Sequence, residues 1–140
     1  MIWENEATLW GDVLAKSPGK ARVYVNSGTS LQKQGKNREA ILLFLKAAQL
    51  DPRSSVPHFN LGVSHRDLGE REEALKEFLV ATSLNEKDFV SYNSIGLIQV
   101  QKGEYHDAMS SFQKAINING RYRDAYNNAA ILLMRQGDMV

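Results

Sequence analysis

The chain has no cysteine, which removes disulfides, thiolate nucleophiles and cysteine-type zinc sites from consideration. That absence says little about compartment, since reducing and oxidising locations both tolerate it. Proline is scarce, and two of the three, Pro18 and Pro52, stand where helices are expected to end. No charge of one sign dominates. The 17 basic and 16 acidic residues leave a formal net charge of +1, so neither a nucleic-acid partner nor an anionic membrane is expected. No run approaches the roughly 20 apolar residues that span a bilayer, and no direct membrane insertion is expected. The opening segment Met1–Glu6 is acidic and lacks the basic-then-apolar order of a signal peptide.

The motifs of catalysis are missing as well. There is no Gly-x-Gly-x-x-Gly loop, Walker loop, nucleophile elbow or His-Glu-x-x-His helix. Nothing assembles a nucleophile, a base and an oxyanion donor, so the sequence reads as non-catalytic, without cofactor or metal. His58 and His65 are seven apart, about 10.5 Å along one helix. One ion cannot take both as ligands at about 2 Å each. Together with His106, they read as core or surface side chains. Glu70-Arg71-Glu72-Glu73 alternates sign as a solvated face does.

What is present is a period. Gly28, Gly62 and Gly96 stand 34 residues apart. In step with them run Ala40, Ala74 and Ala108; Phe44, Phe78 and Phe112; Ala47, Ala81 and Ala115. Tyr24, His58, Tyr92 and Tyr126 form a further series, as do Gly35, Gly69, Gly103 and Gly137. Such a period marks stacked units, each unable to bury its apolar face alone. The 140 residues, 43% of them hydrophobic and 24% charged, suffice for one domain of this kind.

The 3.6-residue apolar pattern predicts helices near 5–16, 21–34, 38–50, 55–68, 72–84, 89–102, 106–118 and 123–136. Gly35, Gly69 and Gly103 stand where the first helix of each pair must stop, a place for a left-handed residue. Asp51-Pro52, Asn85 and Asn119 follow the second helices with turn chemistry. A mid-helix glycine costs about 1 kcal/mol relative to alanine. Close approach of Gly28 and Gly62 to Ala40 and Ala74 is the expected compensation, with the phenylalanine rings filling the space between successive pairs.

Ala40-Ile41-Leu42-Leu43-Phe44-Leu45-Lys46-Ala47-Ala48-Gln49-Leu50-Asp51-Pro52 resembles the second half of a tetratricopeptide repeat. The resemblance covers nearly the whole chain. It implies an all-α fold, a right-handed superhelical solenoid of antiparallel helix pairs. Full units would run 21–54, 55–88 and 89–122, with 1–20 the second helix of a preceding unit and 123–140 the first helix of an incomplete fourth. Trp10, Val13 and Pro18 take the phenylalanine, alanine and proline places of that preceding helix. Departures are His58 and His65, Glu86 and Gly120 in place of proline, and Ala130 in place of glycine.

By the same resemblance, first helices line a concave face and the module binds a protein or peptide. One inner position holds Asn26, Asn60, Ser94 and Asn128. A carboxamide can pair with both the N–H and the C=O of an extended peptide, in the manner of an asparagine ladder. The competing reading, compatible with the first, has these asparagines bridging neighbouring helices within the stack. A net of about 0.5–1.5 kcal/mol per hydrogen bond does not cover an association cost on the order of 4–15 kcal/mol. Apolar anchors are therefore expected, and the same face offers Val25, Phe59, Val63, Leu97 and Ile131. The family's carboxylate clamp for chaperone tails wants Lys and Asn where Val25 and Thr29 stand, and Lys and Arg at Val90 and Ser94. Only Asn60 fits, so a chaperone tail is not the expected ligand.

Both ends cut through units. That pattern is expected either of a piece of a longer polypeptide or of end-to-end pairing between copies, through Ala129, Ile131, Leu132, Leu133 and Met134. A structural spacer or self-association element with an empty groove is the alternative to peptide binding. Finally, Thr8–Arg22 looks like the segment joining a membrane glycosyltransferase-like portion to its repeat tail in some bacterial proteins. That likeness would place the domain outside the cytoplasm.

Overall fold

Ala40, Phe44 and Ala47 fall at the i, i+4, i+7 spacing that puts three side chains on one helical stripe, and all three are fully buried. The stripe recurs as Ala74, Phe78 and Ala81, then as Ala108, Phe112 and Ala115, again fully buried. The computed structural model describes residues 18–138. The expected helix at 5–16 therefore lies outside the described residues. Those described form seven helices: α1 (Pro18–Lys33), α2 (Asn37–Leu50), α3 (Val56–Asp67), α4 (Arg71–Leu84), α5 (Phe89–Gln101), α6 (Tyr105–Ile118) and α7 (Arg123–Asp138).

Contacts between helices run to near neighbours. α1 packs on α2, α3 on α4 and α5 on α6, and each pair stacks on the next through α2–α3, α4–α5 and α6–α7. The first helices α1 and α3, and likewise α5 and α7, also meet side by side. A chain that touches only its neighbours along the stack is an all-α helical-repeat solenoid. Among the described residues, no helix is long and apolar enough to cross a membrane.

The turns carry the expected chemistry. Gly35, Gly69 and Gly103 have φ of 79°, 80° and 80°. At the first of them Lys36 N–H donates to Leu31 C=O at 2.9 Å and Gly35 N–H to Gln32 C=O at 3.0 Å. That pair is the Schellman closure of a helix end, and it repeats at Gly69 and Gly103. The second helices end differently: Asn85 and Asn119 take extended backbone. Their side chains accept from the N–H groups of Lys87 and Arg121, the local turn that asparagine favours.

α1 begins at Pro18, three residues ahead of the expected start, a position where proline's missing N–H costs nothing. Two expectations need correction. Gly137 does not join the turn series, because α7 runs through it to Asp138. And the phenylalanine rings do not merely fill space between pairs. A Cβ built on Gly28, Gly62 or Gly96 would meet the ring of Phe44, Phe78 or Phe112 at 2.6, 2.6 and 2.5 Å. The glycines are therefore flat seats for the ring of their own pair.

Candidate functional site

The face made by α1, α3, α5 and α7 is where the sequence-derived binding residues collect. Val25 packs half-buried beside Ala21, Ala47 and Leu50. Phe59 and Val63 lean on the cluster of Ala74, Phe78, Ile95 and Ile98, with the Phe59 and Phe78 ring centroids 5.8 Å apart. Each of these side chains thus has one side in the core and one turned to the surface. A depression of about 190 Å³ is walled by Ala21, Arg22, Val25, Asp51, Ser54, Val56 and Pro57. A second, of about 250 Å³, is walled by Ser55, Val56, Phe59, Asn85, Asp88 and Val90. Leu97, Asn128 and Ile131 meet in a third, of about 150 Å³, between α5, α6 and α7. Val56 and Val90 were not among the expected anchors, although Val56 walls two depressions and is half exposed.

The position expected to hold a ladder is not uniform. Asn26 is exposed and Asn60 half-buried. Ser94 departs from the expectation: it is buried, and its hydroxyl donates to Val90 C=O of its own helix at 3.0 Å. Asn128 makes one bond within the stack, donating from Nδ2 to Asn93 Oδ1 at 2.9 Å. The alternative reading, a bridge between neighbouring helices, thus describes Asn128. A similar polar bridge joins α1 to α3, where Gln32 Nε2 donates to Ser64 Oγ at 2.8 Å and to Asn60 C=O at 3.1 Å. Thr29 returns its hydroxyl to Val25 C=O.

At the last stacking junction the face is closed by a residue that sequence reasoning missed. Tyr122 lies edge-on to Phe89, with ring centroids 4.9 Å apart, and its oxygen is a long 3.5 Å from Asn93 Nδ2. Burial, reinforced by Asp124, pushes the Tyr122 hydroxyl above its usual 10.0. The signal was present in the sequence, since Tyr122 falls at the 34-residue place of Ser54 and Asp88, where a bulky ring breaks the pattern.

Two of the three histidines turn out to be paired. His58 Nδ1 stands 2.7 Å from Glu77 Oε2, joining α3 to α4. His65 Nδ1 stands 2.9 Å from Glu70 Oε1, and Arg38 grips the same carboxylate with both terminal nitrogens, at 3.0 and 2.9 Å. Those hydrogen bonds, from Arg38 first and His65 second, hold the Glu70 carboxyl below its usual 4.5. One junction further on, Lys102 reaches Glu72 at 3.3 Å and Glu104 at 3.5 Å. Its ammonium is held above the usual 10.5, chiefly by the bond to Glu72. Among the described residues no three histidine or carboxylate side chains cluster to hold a metal ion.

A family model described as tetratricopeptide repeat matches residues 8–88, and a second of the same description matches 90–122. The chain belongs to the tetratricopeptide repeat family. No curated protein matches its sequence. Among solved structures, the first TPR of Spaghetti (RPAP3), bound to the HSP90 peptide SRMEEVD, is 21% identical with a TM-score of 0.81. That match covers 86% of this chain and 96% of that one. The second TPR domain of human RPAP3, in complex with the HSP70 peptide SGPTIEEVD, is 17% identical with a TM-score of 0.76 over 83% and 98%. MamA is 23% identical with a TM-score of 0.78, covering 91% of this chain and 75% of its own. At such identities the likeness shows the shared repeat fold. Neither the family matches nor these structures support the glycosyltransferase likeness of Thr8–Arg22, and residues 8–17 of that segment lie outside the described residues.

Proposed function

We propose that this tetratricopeptide repeat chain is a non-catalytic interaction module that binds an extended peptide along the face of α1, α3, α5 and α7. Its units are taken as 21–54, 55–88 and 89–122, with 123–140 opening a fourth. The observation that carries the reading is the pairing, on one face, of half-exposed apolar side chains with two available carboxamides. Val25, Val56, Phe59 and Val90 supply the apolar part, and Asn26 and Asn60 the polar part. Val63, Leu97 and Ile131 extend the same face. The HSP90 and HSP70 peptides bound by the two RPAP3 domains support a peptide as the ligand class. Their tail chemistry is not carried over. The clamp positions hold Val25, Thr29, Val90 and Ser94, none of them cationic, and a carboxylate tail needs cationic partners there.

A peptide array probed with the wild-type chain and with an Asn26→Ala/Asn60→Ala double variant tests the assignment. Neither side chain makes a hydrogen bond among the described residues, so the variant should keep its melting temperature while losing most captured peptides. Equal capture by both proteins would remove this face as the site. A second reading, self-association, is favoured by α7, where Leu133 and Met134 are 59% and 64% exposed. Light scattering that shows a monomer at high concentration argues against it.

A further inference from the structure

The two depressions nearest the starts of α1, α3 and α5 are copies of one another. Adding 34 to Ala21, Arg22, Val25, Asp51, Ser54 and Val56 gives Ser55, Val56, Phe59, Asn85, Asp88 and Val90, which are the walls of the second. Val56 is the far wall of the first and the near wall of the second. One more step gives Phe89, Val90, Asn93, Asn119, Tyr122 and Asp124. There the place of Ser54 and Asp88 is taken by the Tyr122 ring, stacked on Phe89 and facing Asn93. The fold thus makes the same niche three times, leaves two open and fills the third.

We propose that these two niches are a paired subsite for an extended segment in the polyproline-II conformation, whose apolar side chains three residues apart occupy them, and that Tyr122 ends the track. The inference rests on the peptide-binding reading above and narrows its ligand. Spacing is the first argument. The two niches share Val56 as a wall and flank α3, and packed helices of a stack lie about 8–10 Å apart. A polyproline-II chain, with three residues per turn and a rise of about 3.1 Å, returns a side chain to the same side every ~9.3 Å. A β-strand returns one every ~6.8 Å and falls short. Such a chain has no internal hydrogen bonds, which leaves its carbonyls and N–H groups for the carboxamides of Asn26 and Asn60.

Charge is the second argument. The place of Arg22 recurs as Val56, Val90 and Asp124, so a cation stands at one end of the track, an anion at the other and two valines between. Arg22 and Asp124 are both exposed. The complementary segment carries an acidic residue beside its first apolar side chain and a basic one beyond its second. A chaperone-type tail, acidic at its terminus, lacks that second half.

Two labelled peptides of one composition test this by fluorescence polarisation: Glu-Pro-Leu-Pro-Pro-Leu-Pro-Lys, with leucines three apart, and Glu-Pro-Leu-Pro-Leu-Pro-Pro-Lys, with leucines two apart. The first should bind about tenfold more tightly, the effect of seating one more leucine. Val56→Asn, a change at a half-exposed residue, should abolish that preference. Tyr122→Ser should open the third niche, so that a peptide with a third leucine three residues further on gains about tenfold over its binding to wild type. Backbone amide shifts on titration should centre on Val25, Val56, Phe59 and Val90. Equal binding of the two spacings, or shifts centred elsewhere, overturns the paired subsite. If array capture still depends on Asn26 and Asn60 in that case, the peptide-binding reading survives it. Failure of every peptide, on the array and in solution, overturns both.

Discussion

The first two stacking junctions differ from the third although their backbones are built alike. Ser54 and Asp88 leave a niche at their junctions, whereas Tyr122 fills the equivalent space with a ring against Phe89. The opposite edge of the stack differs too, and here the first junction differs from the second. Arg38 holds Glu70 directly. The places 34 residues on are both acidic, Glu72 and Glu104, and Lys102 stands between them. Repetition fixes the alanine, glycine and phenylalanine positions that set the helix pairs. Individuality enters at turn residues and surface charges, which the scaffold does not need for packing.

The largest effects should therefore be blind to the junction. Phe44, Phe78 and Phe112 are each 0% exposed and each lies over a glycine. Replacing any one by alanine should cost about 3–5 kcal/mol in urea unfolding, with the three values alike. A much smaller loss at Phe112 would show that the third pair is held differently, and the comparison would extend into the core.

The glycines sharpen the same point at smaller scale. Gly62→Ala places a methyl within 2.6 Å of the Phe78 ring, an overpacking that should cost about 1–3 kcal/mol. Gly69→Ala meets no atom within 4 Å but must hold φ near 80°, which costs about 1–2 kcal/mol for a residue bearing a Cβ. Gly96→Ala should match Gly62→Ala, and Gly103→Ala should match Gly69→Ala, in chemical-denaturation midpoints. A difference between units larger than the difference between the two classes would mean that the pairs are not equivalent.

These regularities were legible because each is a local rule repeated in register. A buried stripe needs only i, i+4 and i+7, and a helix stop needs one glycine. The site was less legible because its contacts join residues that the period does not align. Tyr122 reaches Phe89 and Asn93 across 33 and 29 positions. Asn128 reaches Asn93, one place off the 34-residue step, so a series read along the period shows the asparagine but not the partner that one of its N–H groups takes within the stack. Ser94 has a shorter side chain, and its own helix carbonyl is the nearest acceptor. The histidines carried a readable sign that went unused. His58 stands where the series has tyrosine, and Glu77 stands at the 34-residue place of Leu43, so two places that hold tyrosine and leucine in the first unit hold a polar pair in the second.

The smallest effect separates the two clasps by pH. Glu70 has its carboxyl held below the usual 4.5 by Arg38 and His65, so the charged form is favoured more in the folded chain than in the unfolded one. Its contribution is complete above the unfolded value and is lost as pH falls through the lower, folded value. Lys102 is held above its usual 10.5. Its contribution is complete below that value and is lost as pH rises through the higher, folded one. Glu70→Gln should therefore melt below wild type at pH 7, by a small margin because exposed pairs are screened by solvent. The two proteins should converge only in strong acid, once the pH has fallen below the lowered folded value and the wild-type carboxyl is also neutral. Lys102→Met should behave in the opposite sense: a deficit unchanged from neutral pH down to the carboxylate range, and convergence only in strong alkali. Identical pH profiles for the two variants would mean that the clasps are equivalent after all, and that the junctions differ only on the face that Tyr122 closes.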